Sequence, residues 1–315
     1  MLSVQVVTVM IQTHLKTKEN YTPFYGVFFA KGEKMNTIIN FVGILIVLWI
    51  VQYLFMKNKK PLEQSLKKEK LIGERVLVTR EQFPDVEVNL YRYDSEKPVG
   101  LVVVAHGGAL INGDADMTDS FCDTLRNDCK CCVVSINYKK LAQQKPPYQQ
   151  QEIIDVTQYF MKNASSYNLQ TGNVVMVGFS GGSYLQIGAA SILIDFQLRI
   201  KGLIAFYPML DDSIIKLTDM GYLKYPITVV TADNAQENKM VDTWCEHMDQ
   251  ANVEYERKEY TDAIQGFIEY NFSEYLSDAR FKRNLKSFDE EQKDMAHACM
   301  MWLENTIERL LYEEK

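Results

Sequence analysis

Residues 174–190 read Val-Val-Met-Val-Gly-Phe-Ser-Gly-Gly-Ser-Tyr-Leu-Gln-Ile-Gly-Ala-Ala, and this stretch decides the fold. Its first part is an unbroken apolar run, as expected of a strand covered on both faces. Its second part opens a helix. At the junction stands Gly178-Phe179-Ser180-Gly181-Gly182, a serine with glycines two residues to either side. Strand, sharp turn and helix in that order form an elbow whose strained turn presents the serine hydroxyl. The glycines let helix and strand approach closely.

Working outward, further strand-like runs fall at 87–93, 100–105, 132–138, 200–207, 227–231 and 254–260. Helical patterns lie near 117–128, 149–163, 182–195, 236–251 and 289–312. This alternation predicts an α/β fold with a doubly wound, mostly parallel sheet. Such sheets place their sites at strand ends. A second motif, His106-Gly107-Gly108-Ala109, stands at one of these, after the run Leu-Val-Val-Val-Ala. A glycine-rich turn there can aim backbone N–H groups at a developing oxyanion. His106 reads as a brace that holds the loop by hydrogen bonding, with Gly178 and Gly182 as structural members of the elbow.

Taken in order, His106-Gly107-Gly108-Ala109, then Asn137-Tyr138-Lys139-Lys140-Leu141-Ala142, then Gly178 to Gly182 resemble the hormone-sensitive-lipase-like esterases of the α/β-hydrolase superfamily. The corresponding family pattern is HGGG, a DYRLAPE-type segment and GDSAGG, and the likeness covers roughly residues 85–270. It implies Ser180 as nucleophile. It further implies an oxyanion hole from the N–H groups of Gly108, Ala109 and Gly181, with Gly107 shaping the turn. The family's acid falls at Asp233, in the run Pro-Ile-Thr-Val-Val-Thr-Ala-Asp-Asn-Ala-Gln-Glu-Asn.

The pattern breaks where family members carry the catalytic histidine. Residues 260–267 read Tyr-Thr-Asp-Ala-Ile-Gln-Gly-Phe, so Gln265 stands in the histidine's place. The four histidines are His14, His106, His247 and His297, and none is placed to serve Ser180. An amide takes no proton near neutral pH. Two readings follow. One is a serine carboxylester hydrolase impaired by the loss of its base; the other is a pseudohydrolase that binds an acylated ligand or a protein partner at a membrane surface. A rescue of the base by Asp262, or by His106 through a moved loop, is a weaker alternative. The segment between 207 and 227 is short for a lid over the acyl pocket, so a reduced cap and an open site are expected.

The first eighty residues are of another kind. From Thr37 to Met56 the chain reads Thr-Ile-Ile-Asn-Phe-Val-Gly-Ile-Leu-Ile-Val-Leu-Trp-Ile-Val-Gln-Tyr-Leu-Phe-Met, without a charge. As a helix this run is long enough to cross the hydrocarbon core of a bilayer, and Trp49 and Tyr53 suit its interface. No small-residue cleavage site follows, so the run reads as an uncleaved anchor over 35–57. Residues 58–80 read as a basic linker, and 81–315 as the hydrolase domain. Lys and Arg crowd the C-terminal flank, which places the bulk of the chain in the cytoplasm. Residues 1–34 read as a leader that is not translated, with initiation at Met35; Lys31-Gly32-Glu33-Lys34 is encodable by a purine run resembling a ribosome-binding site.

Over the 315 residues, 34 Lys+Arg face 41 Asp+Glu, a net charge of −7. Residues 1–80 hold 12 Lys/Arg and five Glu, net +7, which leaves 22 against 36, or −14, for residues 81–315. An acidic domain excludes a dedicated nucleic-acid binder. The expected partner is a small acyl ester or related ligand, besides the membrane through 37–56. Six cysteines are too few for a disulfide scaffold, and their spacing suits no metal; reduced, buried thiols are expected, with no metal and no cofactor.

Overall fold

The computed structural model describes residues 70–193, 198, 200–210, 225–278, 282 and 284–313. The chain divides into two compact units, Met1–Pro61 and Leu62–Lys315, and every described residue belongs to the second. The leader, the apolar run 37–56, most of the linker and the cap segment 211–224 therefore lie outside the described residues. Among the described residues no helix is long and apolar enough to cross a membrane.

Eight strands form one sheet: β1 (Glu74–Val78), β2 (Val86–Tyr91), β3 (Val99–Ala105), β4 (Cys132–Ile136), β5 (Leu169–Phe179), β6 (Gly202–Phe206), β7 (Ile227–Thr231) and β8 (Tyr255–Glu259). Their order is β1-β2-β4-β3-β5-β6-β7-β8. β2 runs antiparallel to β1 and β4, and every other pairing is parallel. The helices are α1 (Asp119–Asp128), α2 (Tyr148–Lys162), α3 (Gly181–Leu193), α4 (Ala235–Gln250), the short α5 (Ser273–Ser277) and α6 (Glu290–Tyr312). This is the α/β-hydrolase arrangement.

Strand periodicity sorts the core into two layers. In β3, Val103 and Ala105 pack on one face with Ile153, Leu185 and Met248. Val102 and Val104, one step out of phase, pack on the other with Phe121, Leu125, Leu303 and Ile307. Both faces being covered explains why the central strands read as unbroken apolar runs.

One strand lies where the sequence suggested only linker. β1 takes up residues 74–78 of the stretch 58–80, because an edge strand needs few apolar positions and tolerates charge. Arg75 reaches Glu87 at 3.2 Å and Asp116 at 2.5 Å. Just before β1, the buried Asp119 carboxylate accepts from the backbone N–H of Ile72 (3.0 Å) and Gly73 (3.2 Å), and from the Tyr91 hydroxyl (2.8 Å). At the opposite edge, β8 reads Tyr-Glu-Arg-Lys-Glu, and Arg257 pairs with Asp242 and Glu259. Charged edges discourage pairing with a second sheet.

Candidate active site

β5 ends at Phe179 and α3 begins at Gly181, so Ser180 is the whole connection. Its φ of 48° lies in the left-handed region, which a residue with a Cβ enters only under strain. The strain is held from several sides: Ser180 N–H donates to the Phe206 carbonyl at the end of β6 (2.9 Å), and the Ser180 carbonyl accepts from Tyr184 N–H (3.3 Å). The Ser183 hydroxyl donates to the same Phe206 carbonyl at 3.0 Å. A side chain at Gly178 would bring its Cβ to 2.5 Å from Ser183 Cα, and one at Gly182 would collide with the Ala105 carbonyl. Both glycines are therefore demanded by the closeness of strand and helix. Ser180 keeps partial exposure, while Gly181 and Gly182 are buried.

The turn after β3 faces the elbow. Gly108 has φ 119°, Ala109 51° and Leu110 62°, three left-handed residues in succession. The Gly108 carbonyl closes the turn by accepting from Ile111 N–H (3.0 Å) and Asn112 N–H (2.9 Å). Gly108 and Ala109 are exposed, and a Cβ at Gly181 would meet Leu110 N at 3.0 Å, so the two turns touch.

His106 is fully buried at the foot of this turn. Its Nδ1 lies 2.6 Å from the Gly107 carbonyl and its Nε2 3.1 Å from Lys140 Nζ. The neutral ring with its proton on Nδ1 satisfies both, donating to Gly107 and accepting from Lys140. Burial, with the nearby Lys140 charge, holds its pKa well below the ordinary imidazole value. The ring stacks on Tyr138 at 4.2 Å, and the Tyr138 hydroxyl donates to the His106 carbonyl at 2.8 Å. Lys140 is itself lowered to about 8 by burial, against the pull of Asp114 and Glu152.

In the segment after β8, Gln265 is enclosed in a ring of hydrogen bonds. Its Oε1 accepts from Asn234 Nδ2 (2.8 Å) and its Nε2 donates to Glu237 Oε1 (2.6 Å). Asn234 caps α4, its side-chain oxygen accepting from Glu237 N–H at 3.3 Å. The residue that meets Gln265 is thus Asn234; the neighbouring Asp233 is exposed and its backbone N–H donates to the Ala263 carbonyl at 2.8 Å. Burial raises the Glu237 carboxyl, offset in part by the Gln265 amide. Asp262 is exposed, as are His247 on α4 and His297 on α6.

Two buried groups absent from the sequence reading lie near the turn after β3. Tyr207, immediately after β6 and with φ 34°, donates its hydroxyl to Glu269 Oε2. Both side chains are buried, and burial raises the Glu269 carboxyl to about 7. Glu269 Oε1 lies 3.7 Å from where a Cβ on Gly107 would stand. No sequence signal marks Glu269, because its burial depends on the turn after Gln265. Asn234 had one: Asn three residues before Glu is a helix-start pattern. All six cysteines are buried and free, and no cluster of metal-ligating side chains occurs among the described residues.

Residues 102–223 match the family model described as alpha/beta hydrolase fold. The chain is similar to the acetyl esterase of Salmonella paratyphi B, at 29% identity over 131 residues, 42% of this chain and 40% of that protein. The acetyl esterase of Salmonella schwarzengrund is 30% identical over 125 residues, 39% and 38% of the two chains. The chain thus spans about two fifths of the length of the curated relatives it matches. Among solved structures, it is similar to the Pyrobaculum calidifontis esterase, with TM-score 0.61 and 16% identity over 75% of this chain and 84% of that one. It is also similar to carboxyl esterase 2 of Tuber melanosporum, with TM-score 0.63 and 12% identity over 79% and 90%. At such identities the likeness is one of fold.

Proposed function

We infer from an α/β-hydrolase domain of the hormone-sensitive-lipase-like type that this chain is a serine carboxylester hydrolase-like protein acting on small acyl esters through Ser180. The observation that carries the reading is the strained Ser180 between two glycines, facing the left-handed turn Gly108-Ala109-Leu110. In this reading Ser180 Oγ attacks the ester carbonyl. The N–H groups of Gly108, Ala109 and Gly181 receive the oxyanion, with Gly107 shaping the turn and His106 bracing it. Asp233 stands where the family's acid stands, and its side chain is exposed. Gln265 takes no proton, so turnover is slow beside that of a complete triad; in subtilisin, losing the histidine costs about 10⁶ in kcat. The relatives named as acetyl esterases support a short acyl group.

A second reading, a pseudohydrolase that holds an acylated ligand or a protein partner, draws support from the closed ring around Gln265. Both ends of that amide are engaged, which fixes it in place, and neither end can take a proton from a serine. In either reading residues 37–56 anchor the chain in a membrane, with the hydrolase domain on the cytoplasmic side.

The two readings part on one comparison. Full-length wild type and Ser180→Ala are assayed on p-nitrophenyl acetate. The hydrolase reading expects slow turnover that Ser180→Ala abolishes; equal rates in the two proteins establish the pseudohydrolase.

A further inference from the structure

A side chain at 265 acts only where its neighbours hold it, and the backbone fixes that position first. Tyr260 N–H donates to the Thr231 carbonyl at 2.9 Å and Asp233 N–H to the Ala263 carbonyl at 2.8 Å. The turn after β8 is thereby laced to the turn after β7. From α6, the buried Gln292 accepts from Ile264 N–H (2.8 Å) and donates to the Asp262 carbonyl (2.7 Å). Gly266 follows with φ 87°, and Phe267 is fully buried. Residue 265 is thus pinned on both sides.

Two carboxylates stand near it in sequence terms of the β7–α4 junction, and they are not equivalent. Asp233 is exposed, and its carboxylate makes no hydrogen bond among the described residues. Glu237, the third residue of α4, takes the 265 side chain directly, its Oε1 accepting from Gln265 Nε2 at 2.6 Å. The helix start dictates this. In a capping box the acidic side chain at that position turns back to the N–H of the capping residue. Here the Asn234 N–H is already taken by the Ala232 carbonyl at 2.9 Å. The Asn234 side chain serves both others, accepting from Glu237 N–H at 3.3 Å and donating to Gln265 Oε1 at 2.8 Å. The Glu237 carboxylate is left to residue 265, and its Oε2 is buried without a partner among the described residues. An acceptor with one oxygen to spare suits a cationic donor better than an amide.

We propose that Glu237 is the positioning carboxylate of this site, acting through residue 265 in the part that the family resemblance gives to Asp233. The acid has moved from the loop after β7 to the first turn of α4. With glutamine at 265 it orients an amide, which takes no proton; with an imidazole there it orients a base. Glu269, the ionisable neighbour of Glu237 in the turn after Gln265, is committed to the Tyr207 hydroxyl. The proposal rests on the hydrolase reading of Ser180, and its test reads the two apart.

Full-length protein is prepared with Gln265→His alone, with Gln265→His and Glu237→Gln, and with Gln265→His and Asp233→Asn. Labelled histidine rings are titrated by NMR, the signal absent from wild type being the ring introduced at 265. Glu237→Gln is expected to lower the titration midpoint of that ring by about one pH unit, because a carboxylate partner favours the charged imidazole. Asp233→Asn is expected to move it by less than about 0.3. A midpoint that Glu237→Gln leaves in place, or that Asp233→Asn lowers as far, overturns the proposal. On p-nitrophenyl acetate, Glu237→Gln in the Gln265→His background lowers kcat about tenfold or more with KM nearly unchanged. A ring that answers to Glu237 in a protein without Ser180-dependent turnover supports the assignment of Glu237 and overturns the hydrolase reading. Should Gln265→His fail to fold, the side-chain amide signal of Gln265 is followed instead. It shifts with pH in wild type and loses that shift in Glu237→Gln; a shift kept in Glu237→Gln overturns the proposal.

Discussion

Gln265 is held at Oε1 by Asn234 and at Nε2 by Glu237, so the position that the proposed function assigns to the missing imidazole is a fixed amide. The same two neighbours suit an imidazole. In the proposed function a histidine at 265 would donate from Nδ1 to the Glu237 carboxylate, leaving Nε2 free to take a proton. Gln265→His is therefore expected to raise kcat/KM on p-nitrophenyl acetate by about tenfold or more. A folded Gln265→His protein no faster than wild type contradicts this geometry. Among single residues, Ser180 and the glycines around it were legible in the sequence because covalent spacing alone imposes the elbow. Asn234 is readable as a helix cap from the Glu three residues after it. Glu269 and Tyr207 were beyond such reading: their burial and mutual hydrogen bond arise only once the turn after β8 packs against the strand ends.

At the scale of elements, the elbow is the most demanding part of the fold. The Cβ position on Gly178 is 2.5 Å from Ser183 Cα, which is backbone and has no flexible end to yield. Gly178→Ala must push β5 and α3 apart, at a cost of about 1–3 kcal/mol, and displaces Ser180 with them. A lowered melting temperature with lost Ser180 reactivity is expected; a melting temperature within a degree of wild type contradicts the close packing. The central strands and the long helices were readable to within a few residues, because burial on both faces writes itself as unbroken apolar runs. β1 was hidden by its charges. It is fixed by partners remote in sequence, Asp116 and Asp119 on the far side of β3, and no local pattern reveals such a tie.

For the whole molecule, the uneven charge is the main constraint on where it works. Residues 1–80 carry a net +7 around an uncharged run of twenty residues, and residues 81–315 carry −14. A chain anchored through 37–56 stays with membranes on washing at alkaline pH and is released by detergent, whereas release by alkali alone contradicts an integral anchor. The account as a whole turns on whether Ser180 is a working nucleophile. Its most direct test is to treat the full-length protein with a fluorophosphonate and map the adduct by peptide mass. The account predicts one phosphonyl group, on Ser180, absent from the Ser180→Ala variant; a protein that stays unlabelled at Ser180 contradicts it.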